Sequence, residues 1–213
     1  RNIYKNKFGN KVLFEETNHD LRISFSYLLT FSDRLGFVKK SILQNLGDEE
    51  TQIEILDGIQ NILPYGINED LQVRKSTLVD AYKKAELDEK SGFGLFSLSA
   101  MIVDKAEPSE ALLATTVWNT GLDVAKYLLS STQLDRFRIG QSINNETDIR
   151  AERGAYFLNT SLNLKEESSA SWYIIADVNQ SVASIFRTQK LIKATDNPID
   201  IMFLDINMPK ISG

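Results

Sequence analysis

Apolar and polar residues alternate along most of the chain with a period of two, which is typical of half-buried β-strands. In the longest such run, residues 21–31, every second residue from Leu21 to Phe31 is apolar. Many short strands without regular β-α alternation favour a mainly β fold, a large antiparallel β-sandwich with a few helices. Further strands are predicted at residues 3–8, 11–16, 37–45, 51–59, 93–103, 112–118, 156–164 and 172–178.

Turn residues between these runs predict which strands pair. Gly9-Asn10 separates the first two predicted strands and suits a two-residue hairpin turn. Gly47-Asp48 separates residues 37–45 from residues 51–59 and predicts a second hairpin.

Residues 93–103 are apolar on both faces, as expected of a central strand covered on both sides. We expect residues 112–118 to pair with it across the Glu107-Pro108-Ser109 turn. The predicted inward faces of the sandwich include Ile23, Phe25, Tyr27, Leu95, Trp118, Leu158 and Ile174.

Helical periodicity is confined to a few segments. Asp70 can cap a helix that continues through Ala85 and fades at Ser91-Gly92. Ser181 or Asn179 can cap a second helix that ends before Pro198. Residues 129–137 are ambiguous between a short helix and a loop. The second helix has an apolar stripe made of Val182, Ile185, Phe186 and Ile192.

Composition excludes several classes of function. The 213 residues are 42% apolar, with a net charge of −5 and no Lys/Arg-rich block, so neither a nucleic-acid nor a membrane partner is expected. No cysteine is present to form a disulfide or a thiolate metal site. The first residue is Arg1 rather than Met, and both ends look cut. The compartment is therefore open, with a cytoplasmic location favoured.

The last nine residues carry the most specific motif of the chain. Asp205-Ile206-Asn207-Met208-Pro209 follows the apolar run 201–204 and precedes Gly213. This segment resembles the phosphoacceptor segment of response-regulator receiver domains. The resemblance implies phosphorylation at Asp205 beside Mg²⁺, which needs further carboxylate ligands. No acidic pair stands at a suitable strand end, so we expect Asp205 to be inactive here, with no cofactor unless a complete receiver is present.

Several sequence segments in the body of the chain resemble those of another family. They are LDGIQNILPYG at 56–66, LVDAYKK at 78–84, VDKAEPSEAL at 103–112 and ERGAYF at 152–157. Together they resemble large bacterial cellobiose-phosphorylase-like proteins, relatives of inverting glycoside phosphorylases, over residues 1 to about 195. That family has an N-terminal β-supersandwich, similar in topology to galactose mutarotase, before linker helices and an (α/α)₆ barrel.

The two resemblances together imply a division into a β-sandwich at 1–180, a linker helix at 181–197 and a truncated receiver-like segment at 198–213. The barrel that would carry the catalytic acid and the phosphate site is missing, so no catalytic residue is carried over. The implied function is a non-catalytic domain, binding carbohydrate or supporting the barrel, of a glycoside phosphorylase or glycoside hydrolase relative. Its expected partners are an oligosaccharide, the barrel or a second copy in a homodimer.

Two other classes of function stay open. One is a two-component signalling protein whose receiver takes part in a phosphorelay, and the other is a free-standing lectin-like module. The sequence also leaves open which sugar is involved and whether the parent protein catalyses phosphorolysis or hydrolysis.

Candidate sugar contacts are few. Glu152 and Arg153 lie in a dense charged segment, where a carboxylate and a guanidinium can fork onto sugar hydroxyls. The alternative is an exposed ion-pair network with Asp148 and Arg150. Tyr65 lies in a Pro-Tyr-Gly loop and is a further candidate for a ligand contact.

Other notable residues have structural interpretations. Trp118 and Trp172 have apolar neighbours and are expected in the core. Asp57, Asp80 and Asp104 are interpreted as capping or turn residues. The lone His19 is expected in a turn, and no metal site is predicted.

Overall fold

The computed structural model describes residues 1–102 and 111–194, with side chains up to residue 192. This part of the chain is mainly β. The strands are β1 (Asn2–Lys5), β2 (Val12–Asn18), β3 (Ile23–Ser32), β4 (Gly36–Asn45), β5 (Thr51–Ile62), β6 (Lys83–Asp88), β7 (Phe93–Leu98), β8 (Leu113–Thr120), β9 (Lys126–Leu128), β10 (Asp148–Arg150), β11 (Gly154–Leu164) and β12 (Ser169–Ser181). The helices are α1 (Glu69–Arg74), α2 (Ser76–Tyr82), α3 (Leu134–Arg138) and α4 (Val182–Ala194).

The strands form two antiparallel sheets that pack face to face. The large sheet has nine strands in the order β1-β2-β3-β4-β12-β8-β7-β6-β10, and the small sheet has three in the order β5-β11-β9. The main core lies between them, with Phe96, Val117 and Ile174 from the large sheet against Tyr156 and Leu158 from the small one. The predicted fold class, an antiparallel β-sandwich with few helices, is confirmed.

The central strands of the large sheet are covered on both faces. On β12, Trp172 and Ile174 point into the core between the sheets, whereas Tyr173 and Ile175 belong to a cluster on the opposite face. Helix α4 packs against that opposite cluster. Because successive side chains of a strand alternate between faces, both faces of β12 must be apolar.

The predicted inward faces are correct in part. Leu158 and Ile174 lie in the intersheet core, and Ile23 and Phe25 pack against it. The prediction is wrong for Leu95 and Trp118, which belong to the cluster on the α4 side. A strand covered on both faces shows no polar alternation, so its sequence does not reveal which face meets the other sheet. Tyr27 is half-buried at the edge of the inner face.

The first predicted hairpin exists, but its turn is longer than expected. Strands β1 and β2 pair antiparallel with Lys5 opposite Val12, so the loop comprises residues 6–11. Gly9 adopts a left-handed φ of 73° within that loop. The loop is closed by the Lys11 N–H, which donates to the Asn6 side-chain oxygen at 3.0 Å.

The second predicted hairpin is wrong. Strand β4 pairs with β3 and β12 in the large sheet, whereas β5 pairs with β11 in the small sheet. The segment around Gly47 therefore carries the chain from one sheet to the other. Turn residues indicate that the chain reverses, but not which strand it pairs with afterwards.

The first predicted helix is shorter than expected. Asn68 rather than Asp70 caps α1, its side chain accepting from the Leu71 N–H at 2.9 Å. Helix α2 ends at Tyr82, and Ala85 lies buried in strand β6. Pairing with β7 and β10 holds this segment as a strand despite its helical periodicity.

The second predicted helix is present as α4, which the structure describes as far as Ala194; its role as a linker stays a prediction. The Ser181 hydroxyl accepts from the Ser184 N–H at 3.3 Å, which is a capping hydrogen bond. Of its apolar stripe, Ile185 and Ile192 pack against the large sheet, whereas Val182 and Phe186 are exposed.

Residues 129–137, which were ambiguous, contain the start of the short helix α3. Among the described residues, no helix is long and apolar enough to cross a membrane. The Glu107-Pro108-Ser109 turn, Asp104 and residues 198–213 with Asp205 lie outside the described residues.

Candidate functional site

A polar pocket of about 470 Å³ opens where the end of β5, the end of α2 and two loops meet. We call it the Asp80 pocket. Its side chains supply carboxylates, a guanidinium, amides and hydroxyls, a mixture that suits a ligand with both donors and acceptors. The lining residues are Gln60, Asn61, Asp80, Ser131, Thr132, Ala151, Glu152 and Arg153.

Two cations hold the carboxylate of Asp80 in place. Lys83 Nζ lies 2.6 Å from Asp80 Oδ1, and its side chain is only 5% exposed. Arg153 Nε lies 3.7 Å from Asp80 Oδ2, and its side chain is 70% exposed. Because the Arg153 side chain is largely exposed and contacts Asp80 through Nε, its terminal amino groups can reach a ligand.

The backbone of this pocket includes two non-glycine residues in the left-handed region. Asn61 has φ 57° and Ala151 has φ 59°. Asn61 is the extra residue of a β-bulge, because Ile62 pairs with Gly154 while Gln60 pairs with Ala155. Such conformations cost on the order of 1 kcal/mol each and are frequent beside binding sites, where they redirect side chains.

The segment around Ala151 is anchored to the sheet. The Ala151 N–H donates to the Lys83 carbonyl oxygen at 2.9 Å. Lys83 thus positions both sides of the pocket, since its ammonium holds Asp80 and its carbonyl holds the loop that carries Glu152.

A buried carboxylate fixes another loop that lines the Asp80 pocket. Glu146 is only 7% exposed, and its Oε2 accepts from the N–H groups of Leu129 at 2.7 Å and Ser130 at 2.9 Å. Its Oε1 accepts from Gln133 Nε2 at 2.7 Å and Ser130 Oγ at 3.2 Å. These bonds hold the loop that brings Ser131 and Thr132 to the pocket.

The structure brings together two of the three predicted sugar contacts. Glu152 and Arg153 both line the Asp80 pocket. Tyr65 lies in the loop after β5, where it is 40% exposed, and is not among the residues that line the pocket. Sugar binding by these residues stays a prediction.

The charged segment divides into separate ion pairs. Asp148 and Arg150 pair with each other at 3.1 Å on β10, whereas Arg153 faces Asp80. The hydrogen bond from Arg150 lowers the pKa of Asp148 below its ordinary value. Among the described residues the charged segment therefore forms one pair on β10 and a separate pair with Asp80, not the single network that the sequence suggested.

The aspartate interpretations need correction at Asp57 and Asp80. Asp80 lies within α2, and its side chain pairs with Lys83 and caps no helix. Asp57 is neither a cap nor a turn residue, because it lies buried in the middle of β5. The predictions for Trp118 and Trp172 in the core are confirmed, since they are 3% and 0% exposed. His19 lies in an exposed turn, as expected.

Sequence reasoning missed Glu146, Lys83 and the Asn61 bulge. Glu146 stands in the polar run Asn144-Asn145-Glu146-Thr147, whose composition is that of an exposed loop. No group of three or more His, Cys, Asp or Glu side chains that could hold a metal ion occurs within residues 1–102 and 111–194.

No protein-family model matches the sequence, and no curated protein matches it. A solved polysaccharide lyase structure matches 87% of this chain over 24% of its own length, with a TM-score of 0.48 and 14% identity. A structure described as a kojibiose phosphorylase from the human microbiome matches 90% of this chain over 20% of its own length, with a TM-score of 0.42 and 12% identity.

This chain therefore spans only about a quarter or less of the length of these two structures. At these TM-scores and identities, neither likeness carries an activity or a substrate over to this chain. The receiver-like resemblance of residues 198–213 has no support from the comparisons.

Proposed function

We propose that this chain is a non-catalytic, carbohydrate-binding β-sandwich domain that takes a neutral sugar in the Asp80 pocket. We further propose that it is a domain of a larger, glycoside-phosphorylase-like carbohydrate-active protein, as the resemblance of segments 56–66 and 152–157 implies. The observation that carries the proposal is the Asp80 pocket itself, with its varied polar groups on anchored segments.

The chemistry of the pocket favours a sugar because each sugar hydroxyl both donates and accepts. Glu152 can accept from hydroxyls, and the exposed guanidinium of Arg153 can donate to them. Fixed polar groups bind such a ligand without a large loss of side-chain entropy, and Glu146 and Lys83 fix the surrounding loops.

The charges of the pocket favour a neutral sugar over an acidic one. The carboxylates of Asp80 and Glu152 balance the cations of Lys83 and Arg153. An anionic ligand would pair with Arg153 but would also meet the two carboxylates, whereas a neutral ligand meets no net repulsion.

A binding role fits the pocket better than turnover does. Glycoside hydrolysis uses two carboxyl groups that flank the scissile bond. Here Asp80 is already engaged by Lys83 and Arg153. We expect the purified chain to release no sugar phosphate from cellobiose and inorganic phosphate, and measurable release would contradict the non-catalytic assignment.

The binding site can be tested with neutral glucose disaccharides. ¹⁵N-labelled protein titrated with cellobiose and with maltose should show saturable amide shifts at Asn61, Thr132 and Glu152. Arg153→Ala should weaken binding by about tenfold, since it removes charge-assisted hydrogen bonds. Arg138→Ala is the matched control, because Arg138 is an exposed arginine paired with Asp135 outside the pocket. Unchanged affinity in Arg153→Ala would contradict this site.

A further inference from the structure

A second concave surface lies on the inner face of the large sheet, near its β1 edge. It is a groove of about 330 Å³ lined by residues of β1, β2 and β3 and by Arg1. We call it the aromatic groove. Its floor carries the rings of Phe14, Phe25 and Tyr27, with Arg1 and Glu16 beside them.

The groove exists because the small sheet is narrower than the large one. Strand β5, at the edge of the small sheet, contacts β4 and β12 through Asp57, which bonds to Ser41 and Trp172. Tyr27 is the cross-strand neighbour of Ser41, and Phe14 is the neighbour of Tyr27. The same inner face therefore continues beyond β5, where Phe14, Phe25 and Tyr27 remain only half-buried.

The rings are held rigidly. Phe14 and Tyr27 stack with centroids 4.8 Å apart and planes at 16°. Phe25 lies 6.0 Å from Tyr27 and 6.3 Å from the buried Trp172. The ammonium of Lys39 lies 5.0 Å from the Tyr27 ring centroid, a cation–π contact from the buried side. A ligand would therefore meet a preformed aromatic surface and would not need to order it.

A charged pair flanks the aromatic surface. Arg1 Nη2 lies 2.8 Å from Glu16 Oε1, with both side chains more than half exposed at 82% and 54%. Glu16 is the cross-strand neighbour of Phe25, so the pair lies directly beside the rings. The groove thus combines ring surfaces with a fork of hydrogen-bond donors and acceptors.

We propose that the aromatic groove is a second carbohydrate site, which stacks a neutral pyranose on its aromatic rings. A pyranose has an apolar C–H face for the rings and hydroxyls that can both accept from Arg1 and donate to Glu16. An apolar protein surface would displace water from the Arg1–Glu16 pair and offer no hydrogen bonds in its place. This desolvation would cost free energy. The volume lies at the lower end of the range for small-ligand sites.

This site is independent of the Asp80 pocket. The groove lies at the β1 edge of the large sheet, whereas the pocket lies beside β6, next to the strand at the opposite edge. The two sites share no residue, so each can be removed without altering the lining of the other.

The test is a titration of the ¹⁵N-labelled chain with cellobiose, followed at the amides of Phe14, Phe25 and Tyr27. Phe14→Ala should weaken binding at the groove by about fivefold to tenfold, because it removes a stacking ring. Phe14→Tyr keeps the ring and should keep the affinity, which separates loss of stacking from loss of folding. Phe8→Ala is the control, since Phe8 is 86% exposed in the loop 6–11 and does not line the groove.

Each outcome distinguishes the two sites. Shifts at the Asp80 pocket alone would overturn the aromatic groove and leave the proposed function standing. Shifts at the groove alone, lost in Phe14→Ala and kept in Arg153→Ala, would support the groove and contradict the pocket. The remaining outcome is that the sugar causes no shift at the groove, while the groove amides shift as the protein concentration rises. A second copy of the chain would then occupy the groove, which would overturn the proposal.

Discussion

Lys39 on β4 and Asp57 on β5 form a buried ion pair that joins the two sheets of the sandwich. Their side chains are only 6% and 10% exposed. Asp57 Oδ2 also accepts from Ser41 Oγ at 2.7 Å and from Trp172 Nε1 at 2.8 Å. Lys39 donates further to the Gly58 carbonyl oxygen at 3.0 Å. A buried pair with this many hydrogen bonds is specific for one register of one sheet on the other.

Asp57→Ala should lower the free energy of unfolding by about 3–5 kcal/mol, because it leaves the Lys39 ammonium buried without its counter-charge. Urea unfolding followed by tryptophan fluorescence measures this change. The double variant Lys39→Met with Asp57→Leu should recover part of the loss, since neither charge then remains buried. Asp135→Ala is the control, because it breaks an exposed pair and should cost less than about 1 kcal/mol. Equal losses in Asp57→Ala and Asp135→Ala would contradict the role of the buried pair.

Gly92→Ala should destabilise the protein more than Gly140→Ala, although both glycines have a left-handed φ, 66° and 72°. A Cβ at Gly92 would lie within van der Waals overlap of the Tyr127 hydroxyl, whereas a Cβ at Gly140 meets nothing within 4 Å. Both variants incur a backbone cost of about 1 kcal/mol. Gly92→Ala adds overpacking of about 1–3 kcal/mol and disturbs the Gly92 carbonyl that accepts from Tyr156. The comparison is made by thermal unfolding of the two variants. Equal unfolding midpoints would show that the Tyr127 side chain moves away from the added methyl group without a loss of stability.

Glu146→Ala should destabilise the fold by about 2–4 kcal/mol and should also weaken sugar binding at the Asp80 pocket. The reason is that the buried N–H groups of Leu129 and Ser130 lose their acceptor, and the loop carrying Thr132 loses its anchor. Hydrogen exchange at the Leu129 and Ser130 amides should accelerate in the variant. Glu146→Gln keeps one acceptor oxygen and should have a smaller effect. Glu89 is exposed, so Glu89→Ala should leave both stability and exchange unchanged. Slow exchange at Leu129 in Glu146→Ala would refute the anchoring role.

Stability should fall at alkaline pH because of Tyr156. Burial raises the pKa of the Tyr156 hydroxyl well above its ordinary value of 10.0. Above about pH 10 the unfolded chain releases this proton while the folded chain keeps it, so the folded state becomes less favourable by about 1.4 kcal/mol per pH unit. Burial, with a smaller contribution from Asp123, raises the pKa of Tyr127 in the same direction.

The measurement for Tyr156 is the urea midpoint at several values between pH 8 and pH 11. The urea midpoint of the wild type should be constant below about pH 10 and should fall above it. Tyr156→Phe should start lower, because it loses the hydrogen bond to the Gly92 carbonyl, and should decline less steeply. An equally steep decline in the variant would assign the effect to other tyrosines.

The pattern of the sequence by itself determined much of the secondary structure and the fold class. The alternation in residues 21–31 becomes β3, and the apolar run from Phe93 becomes the doubly covered β7. The apolar stripe from Val182 becomes α4, with Ser181 as its cap. These features are local, because a period of two or of 3.6 places side chains on faces without reference to any other segment.

The tertiary structure alone decided which strands became partners and where the candidate sites formed. The segment 83–88 became a strand because β7 and β10 pair with it, and β5 left β4 for a separate sheet. Asp80, Thr132 and Arg153 are far apart in sequence and meet only through that arrangement. Asp57 has the sequence context of a turn residue, yet it lies buried because Lys39 and Trp172 meet it from the other sheet. Contacts between sheets depend on long-range packing free energy, and a period along the chain contains no information about which faces will meet.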